Sequence, residues 1–268
     1  MWRWLGTEPM AFAGVDVGAE TVKLVILNEG EILFSKVLAT EEEGAVASRQ
    51  LMEEGLKETN LSMEELSYVV STGSGRATVP FANKQRSEQL CHARGARWSI
   101  PSAQTVLDVG AEGSRAMKLN DDGKVIDFAI NSKCASGTGT LLRAMTKIVE
   151  IPMEEMGIMA ANAKSAAKIS SFCAVFAESE VISSIHTGVS EESIVAGIHE
   201  SVVSRLLEVL RRVGLVEDVV VTGGVAKNIG IIKRLEPKIG LEIKVPRDPQ
   251  TMGALGAALM AQEMGGGS

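Results

Sequence analysis

Asp16-Val-Gly-Ala-Glu20 recurs letter for letter as Asp108-Val-Gly-Ala-Glu112. Around the first copy, Phe12-Ala-Gly-Val-Asp-Val-Gly18 reads as a buried strand ending in a tight turn. Residues 21–27 form a second strand, Asn28-Glu-Gly30 a hairpin turn and residues 31–39 a third strand. The second copy stands in the same series, through residues 115–119, the turn Asn120-Asp-Asp-Gly123 and residues 124–130. A spacing this long is not a solenoid period, so the chain reads as a duplicated domain. Turns at Thr72-Gly-Ser-Gly75 and Pro101 put the boundary near residue 100. The expected domains are 1–100, with a small-residue helix in 249–268 packing back on it, and 101–248.

Outward from the repeat, residues 41–58 carry apolar residues at helical spacing, and residues 66–71 read as another strand. Later, residues 141–150 read as an amphipathic helix, Pro152 opens another, and residues 169–172 look strand-like. Ser190-Glu-Glu-Ser193 opens a long helix whose apolar face is Ile194, Ile198, Val202, Leu206, Val209 and Val213. Val219-Val-Val-Thr-Gly-Gly-Val225 is a strand running into a glycine loop, and residues 242–245 form a last strand.

The 268 residues carry a formal charge of -7, which argues against nucleic acid or an anionic membrane as partner. No run approaches the roughly 20 apolar residues of a membrane span, and the first residues lack a signal-peptide core. The expectation is a cytoplasmic protein. Its 3 cysteines, Cys91, Cys134 and Cys173, show no C-x-x-C spacing and are too few for a disulfide framework. They also fall short of the four thiolates of an ordinary iron–sulfur cluster.

Two stretches invite ligand chemistry. In the repeat, a carboxylate at Asp16 suits a magnesium-bound water near terminal phosphates, and glycines at 18 and 110 permit close backbone approach. One strand-plus-glycine turn alone would be unremarkable, but duplication joined by Thr222-Gly-Gly224 favours a nucleotide site. In Asn131-Ser-Lys-Cys-Ala-Ser-Gly-Thr-Gly-Thr140, a cysteine precedes a loop that opens a helix. Amides at that helix start would point at an anion, and the same end favours negative charge on the Cys134 sulfur. His186 and His199 on amphipathic helices, Cys91 beside His92, and the acidic pair Glu178 and Glu180 read as structural by default.

With phosphate turns at Asp16 and Asp108 and an adenosine loop at Val221-Thr-Gly-Gly-Val225, the chain resembles the acetate-kinase, sugar-kinase, Hsp70 and actin superfamily. Within it, Asn131-Ser-Lys-Cys-Ala-Ser-Gly-Thr-Gly139, Ser171-Phe-Cys-Ala-Val-Phe-Ala-Glu-Ser-Glu-Val181 and Ala196-Gly-Ile-His199 resemble the BadF/BadG/BcrA/BcrD ATPase family. The resemblance implies an α/β fold of two ribonuclease-H-like domains with a nucleotide cleft between them. It implies ATP and magnesium, with Asp16, Asp108 and Glu112 catalytic and Gly18, Ala19, Glu20, Gly110, Gly137, Thr138, Gly139, Gly223 and Gly224 binding the nucleotide. It further implies a [4Fe–4S] cluster shared between two subunits, each giving Cys134 and Cys173.

The implied activity is an ATPase that drives an electron from ferredoxin or a similar donor into a partner acyl-CoA enzyme. Its partners would be a second ATPase subunit and a reductase or dehydratase component. Dehydratase activators usually read Asp-Ile-Gly-Gly-Gln-Asp at the second turn, where this chain has Glu112 in the glutamine's place. That departure favours a benzoyl-CoA reductase-type subunit over a 2-hydroxyacyl-CoA dehydratase activator. A small-molecule kinase of the same superfamily is the more distant rival, and it would have no use for paired cysteines.

Overall fold

The structure, a computed structural model, describes residues 11–40, 43–132, 137–170 and 173–266. The chain divides into two compact units, Met1–Ser99 with Gln250–Ser268, and Ile100–Pro249. Cys134 and Lys133 lie outside the described residues, as do residues 171–172 of the expected strand; Ile169 and Ser170 belong to no helix or strand.

In the first unit β1 (Ala11–Val17), β2 (Thr21–Asn28) and β3 (Glu31–Ala39) form an antiparallel meander. Helix α1 (Gly44–Thr59) leads to β4 (Leu66–Thr72), which joins β1 in parallel, and β5 (Lys84–Gln85) extends the sheet in the order β3-β2-β1-β4-β5. Helix α2 (Glu88–Ser99) follows, and the closing helix of the chain, Met252–Gly265, returns to this unit.

The second unit repeats the plan. β6 (Thr105–Val109), β7 (Ser114–Leu119) and β8 (Val125–Asn131) are antiparallel, and β9 (Val219–Thr222) and β10 (Ile243–Lys244) add in parallel to give β8-β7-β6-β9-β10. Its helices are α3 (Gly139–Val149), α4 (Met153–Asn162), α5 (Ala174–His186), α6 (Glu191–Val213) and α7 (Ile229–Ile239). The final helix is therefore α8. Two mixed sheets of one topology, each with helices, are the duplicated domain that the repeat implied and the ribonuclease-H-like pair that the resemblance implied.

β1 is buried along its whole length because both of its faces are covered. Alternation sends Ala11, Ala13, Val15 and Val17 to a core with Leu51 and Met52 of α1, while Phe12 packs with Ala257 and Ala261 of α8. Asp16 shares the Phe12 parity and so faces the α8 side. Small residues let α8 come close: a methyl group added at Gly256 would lie 1.8 Å from the Cys91 carbonyl oxygen of α2.

In the second unit α6 is the central helix. Ile194, Ile198, Val202, Leu206, Val209 and Val213 are all buried, as their spacing predicts. Burying each such side chain contributes about 1.5–3 kcal/mol. Ser190 caps the helix by accepting a hydrogen bond from Ser193 N, acidic residues fill its first turn and Arg211 and Arg212 its last.

Candidate active site

The two copies of the five-residue repeat fold into equivalent strand ends. Pairing within the first hairpin sets Asp16 opposite Lys23, and within the second sets Asp108 opposite Arg115. Opposed residues of an antiparallel pair point to one face. Each aspartate thereby meets a cation seven residues on: Lys23 Nζ is 3.3 Å from Asp16 Oδ2, and Arg115 Nη1 is 2.7 Å from Asp108 Oδ2. Both carboxylates are buried, at 4% and 2% exposure, so each cation offsets a charge that would be costly to desolvate unpaired. Sequence reasoning missed Lys23 and Arg115, although their identical offset from the repeated aspartate was a readable signal.

Parallel pairing adds a third part. β4 sets Thr72 beside Asp16, and β9 sets Thr222 beside Asp108. After each threonine comes a glycine of positive φ, 92° at Gly73 and 87° at Gly223. A methyl group at either would lie 2.6 Å from an Oδ1 of its aspartate. Glycine is required there by conformation and by space alike.

In the second unit the turn 110–113 is closed by Gly110 N donating to Gly113 O at 2.8 Å, with Glu112 exposed. Two of the amides at the start of α3 do not point outward as the sequence suggested. Gly139 N donates to Gly110 O and Thr140 N to Ala111 O, both at 2.9 Å, so these two are spent on tying α3 to the second phosphate turn. A methyl at Gly139 would touch Val225 at 3.3 Å and Gly110 O at 3.4 Å, so the turn after Asp108, the α3 start and the Gly223 loop meet there. Thr138 stands at the N-cap position of α3, makes no side-chain capping hydrogen bond there and is buried; Gly137, at φ 84°, leaves room for Arg205 of α6. Gly224 is exposed beside the buried Gly223. The structure thus gathers Asp108, Gly110, Gly139 and Gly223.

In the first unit Gly18 closes its turn by donating to Thr21 O at 3.0 Å, Ala19 is exposed, and the half-buried Glu20 accepts from Thr40 N through its carbonyl. The α8 start also reaches Asp16, since a methyl at Gly253 would lie 2.9 Å from Asp16 Oδ2 and 2.8 Å from His92 Nε2. His92, buried, belongs to this neighbourhood. One carboxylate per turn, each already against a cation, is a donor set that fits magnesium through its water shell rather than a closed protein cage.

The cysteines separate cleanly. Cys91 is fully buried, and burial pushes its thiol up to about 12 against the opposing pull of the Thr72 hydroxyl. It is unsuited to ligate a metal or a cluster. Cys173 is half-buried at the N-cap of α5, with its side chain making no capping hydrogen bond. Val175 and Phe176 beside it are 66% and 65% exposed, and Ile182, Ile185 and Val189 continue an apolar stripe along the same helix and the turn beyond it. Among the described residues no group of three or more His, Cys, Asp or Glu is placed to hold a metal ion. The described donor set fits a cluster only as part of a site that other thiols complete. Glu178 and Glu180 lie beyond the first turn of α5, and Glu180 accepts a short hydrogen bond from Ser170 N.

His199 is buried on α6 with Nδ1 2.8 Å from the Val195 carbonyl oxygen and Nε2 3.2 Å from Asn228 Oδ1. Asn228 Oδ1 also accepts from Gly230 N and Ile231 N, capping α7 directly after the 223–227 loop. Burial pushes the imidazole below its usual range, and the histidine serves as a packed link between helices. His186 ends α5, exposed. Among the described residues no helix is long and apolar enough to cross a membrane.

Comparison with known proteins agrees with this fold. The chain is 42% identical to the 2-hydroxyisocaproyl-CoA dehydratase activator of Clostridioides difficile, over 92% of this chain and 93% of that one. It is 40% identical to the (R)-2-hydroxyglutaryl-CoA dehydratase activating ATPase of Acidaminococcus fermentans, over 92% and 95%. A benzoyl-CoA reductase subunit of Thauera aromatica is 35% identical, over 92% and 91%. The solved C. difficile activator with bound ADPNP superposes at a TM-score of 0.90 and 41% identity, over 96% of both chains. A glucokinase of Streptomyces griseus, at a TM-score of 0.58 and 11% identity, shares the fold alone. The order of similarity reverses the preference drawn from Glu112, because the dehydratase activators stand nearer than the reductase subunit. Residues 13–261 match the family described as BadF/BadG/BcrA/BcrD ATPase, and the chain belongs to that family.

Proposed function

We propose that this chain is the ATP-hydrolysing activator of a 2-hydroxyacyl-CoA dehydratase. The observation that carries this reading is its 40–42% identity, across nearly the whole chain, to named dehydratase activators, against 35% to the reductase subunit. In this reading the turns after Asp16 and Asp108 hold the phosphates of ATP, with Gly18, Ala19, Glu20, Gly110, Thr138 and Gly139 shaping them and Gly223 and Gly224 serving the adenosine. Asp16 and Asp108 orient magnesium-bound water, and Glu112 at its exposed turn replaces an amide in positioning the attacked phosphate.

Cys173, with Cys134, holds half of a [4Fe–4S] cluster, and a second copy of the chain or a related subunit supplies the rest. Bound there, such a cluster supplies one-electron chemistry at low potential. The exposed apolar stripe of α5 beside Cys173 supports a subunit contact at that end. Ferredoxin or a similar carrier in the cytoplasm supplies the electron and the dehydratase component receives it. Differential affinity of two conformations for ATP drives the exchange.

The test is anaerobic purification followed by iron and acid-labile sulfide analysis and ATP-dependent activation of a dehydratase component. Activation of a dehydratase, with no ATP-driven reduction of benzoyl-CoA alongside a reductase core, is the expected result. The reverse pattern would return the chain to the reductase class.

A further inference from the structure

The duplicated site has a part to which no ligand has been assigned. Asp-x-Gly turn, cation at the seventh residue, and Thr-Gly turn in parallel register occur once in each unit. Of the two Thr-Gly turns, only Thr222-Gly223 carries a role in the proposed ATP site. Its counterpart, Thr72-Gly73, has the same positive φ, and a methyl there would lie 2.2 Å from the carbonyl of Val17, as one at Gly223 would lie 2.4 Å from that of Val109.

Beyond the shared glycine the two turns diverge in chemistry. The second continues Gly224-Val225-Ala226, with Val225 and Ala226 buried. The first continues Ser74-Gly75-Arg76, with Ser74 exposed and Arg76 half-buried. Gly75 N donates to Val17 O at 2.9 Å, locking the turn against the strand end that leads into Gly18. Arg76 Nη1 donates to Gly73 O at 2.9 Å, and the Ser71 hydroxyl donates to the backbone carbonyl oxygen of Arg76, so the residue is fixed at the turn by its backbone and its guanidinium by one contact. Lys23, the other cation of this turn pair, is committed to Asp16. A guanidinium is a planar fork suited to phosphate oxygens, and this one keeps donors beyond the single Nη1 contact.

We propose that the turn 72–76 is a third phosphate-holding turn and that Arg76 binds the terminal phosphate of ATP. The inference rests on the ATP reading of the Asp16 turn and adds the residue that distinguishes ATP from ADP.

The experiment titrates wild type, Arg76→Gln and Arg76→Lys with the β,γ-imido analogue of ATP and, separately, with ADP. Thermal unfolding of each protein without nucleotide accompanies the titrations. Loss of a charged hydrogen-bond pair predicts that Arg76→Gln binds the analogue about 10–100-fold more weakly. Its ADP affinity should stay within about threefold of wild type, and Arg76→Lys should fall between. Equal losses for both nucleotides with a lowered melting temperature would make Arg76 a brace of the turn and overturn the proposal. Unchanged affinity for the analogue would overturn it as well. Wild-type protein that binds neither nucleotide would instead overturn the ATP reading, and this inference with it.

Discussion

Replacing Arg115 by methionine removes the cation from a buried carboxylate while keeping most of the side chain's length. The pair is short, 2.7 Å, with side-chain exposures of 12% for Arg115 and 3% for Asp108. Breaking a buried ion pair from one side costs about 3–5 kcal/mol, because the remaining charge loses its partner without regaining water. For a unit of the size of Ile100–Pro249, each kcal/mol moves the melting temperature by roughly 2–4 °C. Arg115→Met should therefore lower it by roughly 6–20 °C. Asp108→Asn leaves no bare carboxylate and should cost less, and the double variant Asp108→Asn/Arg115→Met should recover part of the loss. Thermal and urea unfolding of all four proteins close the cycle. Additive losses, or an Arg115→Met protein that melts with wild type, would refute the claim that Arg115 neutralises Asp108.

Other outcomes follow from the same geometry. Gly223→Ala puts a methyl 2.4 Å from Val109 O at φ 87°, so a cost above about 2 kcal/mol and displacement of Asp108 are expected, read by unfolding and by nucleotide affinity. Asp16→Asn should sharply lower ATP turnover with the chain still folded; unchanged turnover would remove the first turn from the site. Cys134→Ser and Cys173→Ser should each lose iron, whereas Cys91→Ser should keep it, and iodoacetamide on the native apoprotein should spare Cys91. The unfolded chain releases the Cys91 proton near 9.0 but the folded chain holds it to about 12, so stability should decline over that window, and less steeply in Cys91→Ala. For His199 the sign is opposite. Burial depresses its pKa, so the unfolded chain binds the proton first and stability should fall as pH drops below about 6.5, an acid loss that His199→Gln should blunt.

Much of the fold was legible in the chain because it is written in local periodicity. The repeat at Asp16 and Asp108 implied two like sheets, and the hexad Ile194 to Val213 gave α6 and its buried face without any knowledge of what covers it. α2 was not legible: Glu88-Gln-Leu-Cys-His-Ala-Arg-Gly95 has mixed polarity and an interior glycine that costs about 1 kcal/mol against alanine. It is held by backbone contact with α8, where a methyl at Gly95 would lie 2.1 Å from Met252 O, and no local pattern records such a contact.

The same division runs through the site. Sequence alone named the aspartates and the glycine turns as candidates, because these residue types carry their chemistry in short motifs, whereas Cys173 was named only through the family resemblance. Only the tertiary structure paired Asp16 with Lys23 and Asp108 with Arg115, because hairpin register decides which side chains share a face. Only it set Thr72-Gly73 as the twin of Thr222-Gly223, since parallel neighbours β1 and β4, or β6 and β9, are joined through long stretches of intervening chain. It also turned the α3 amides inward onto Gly110 and Ala111. A motif states what a residue is able to do; the partner that occupies it arrives from elsewhere in the chain, through strand register and packing.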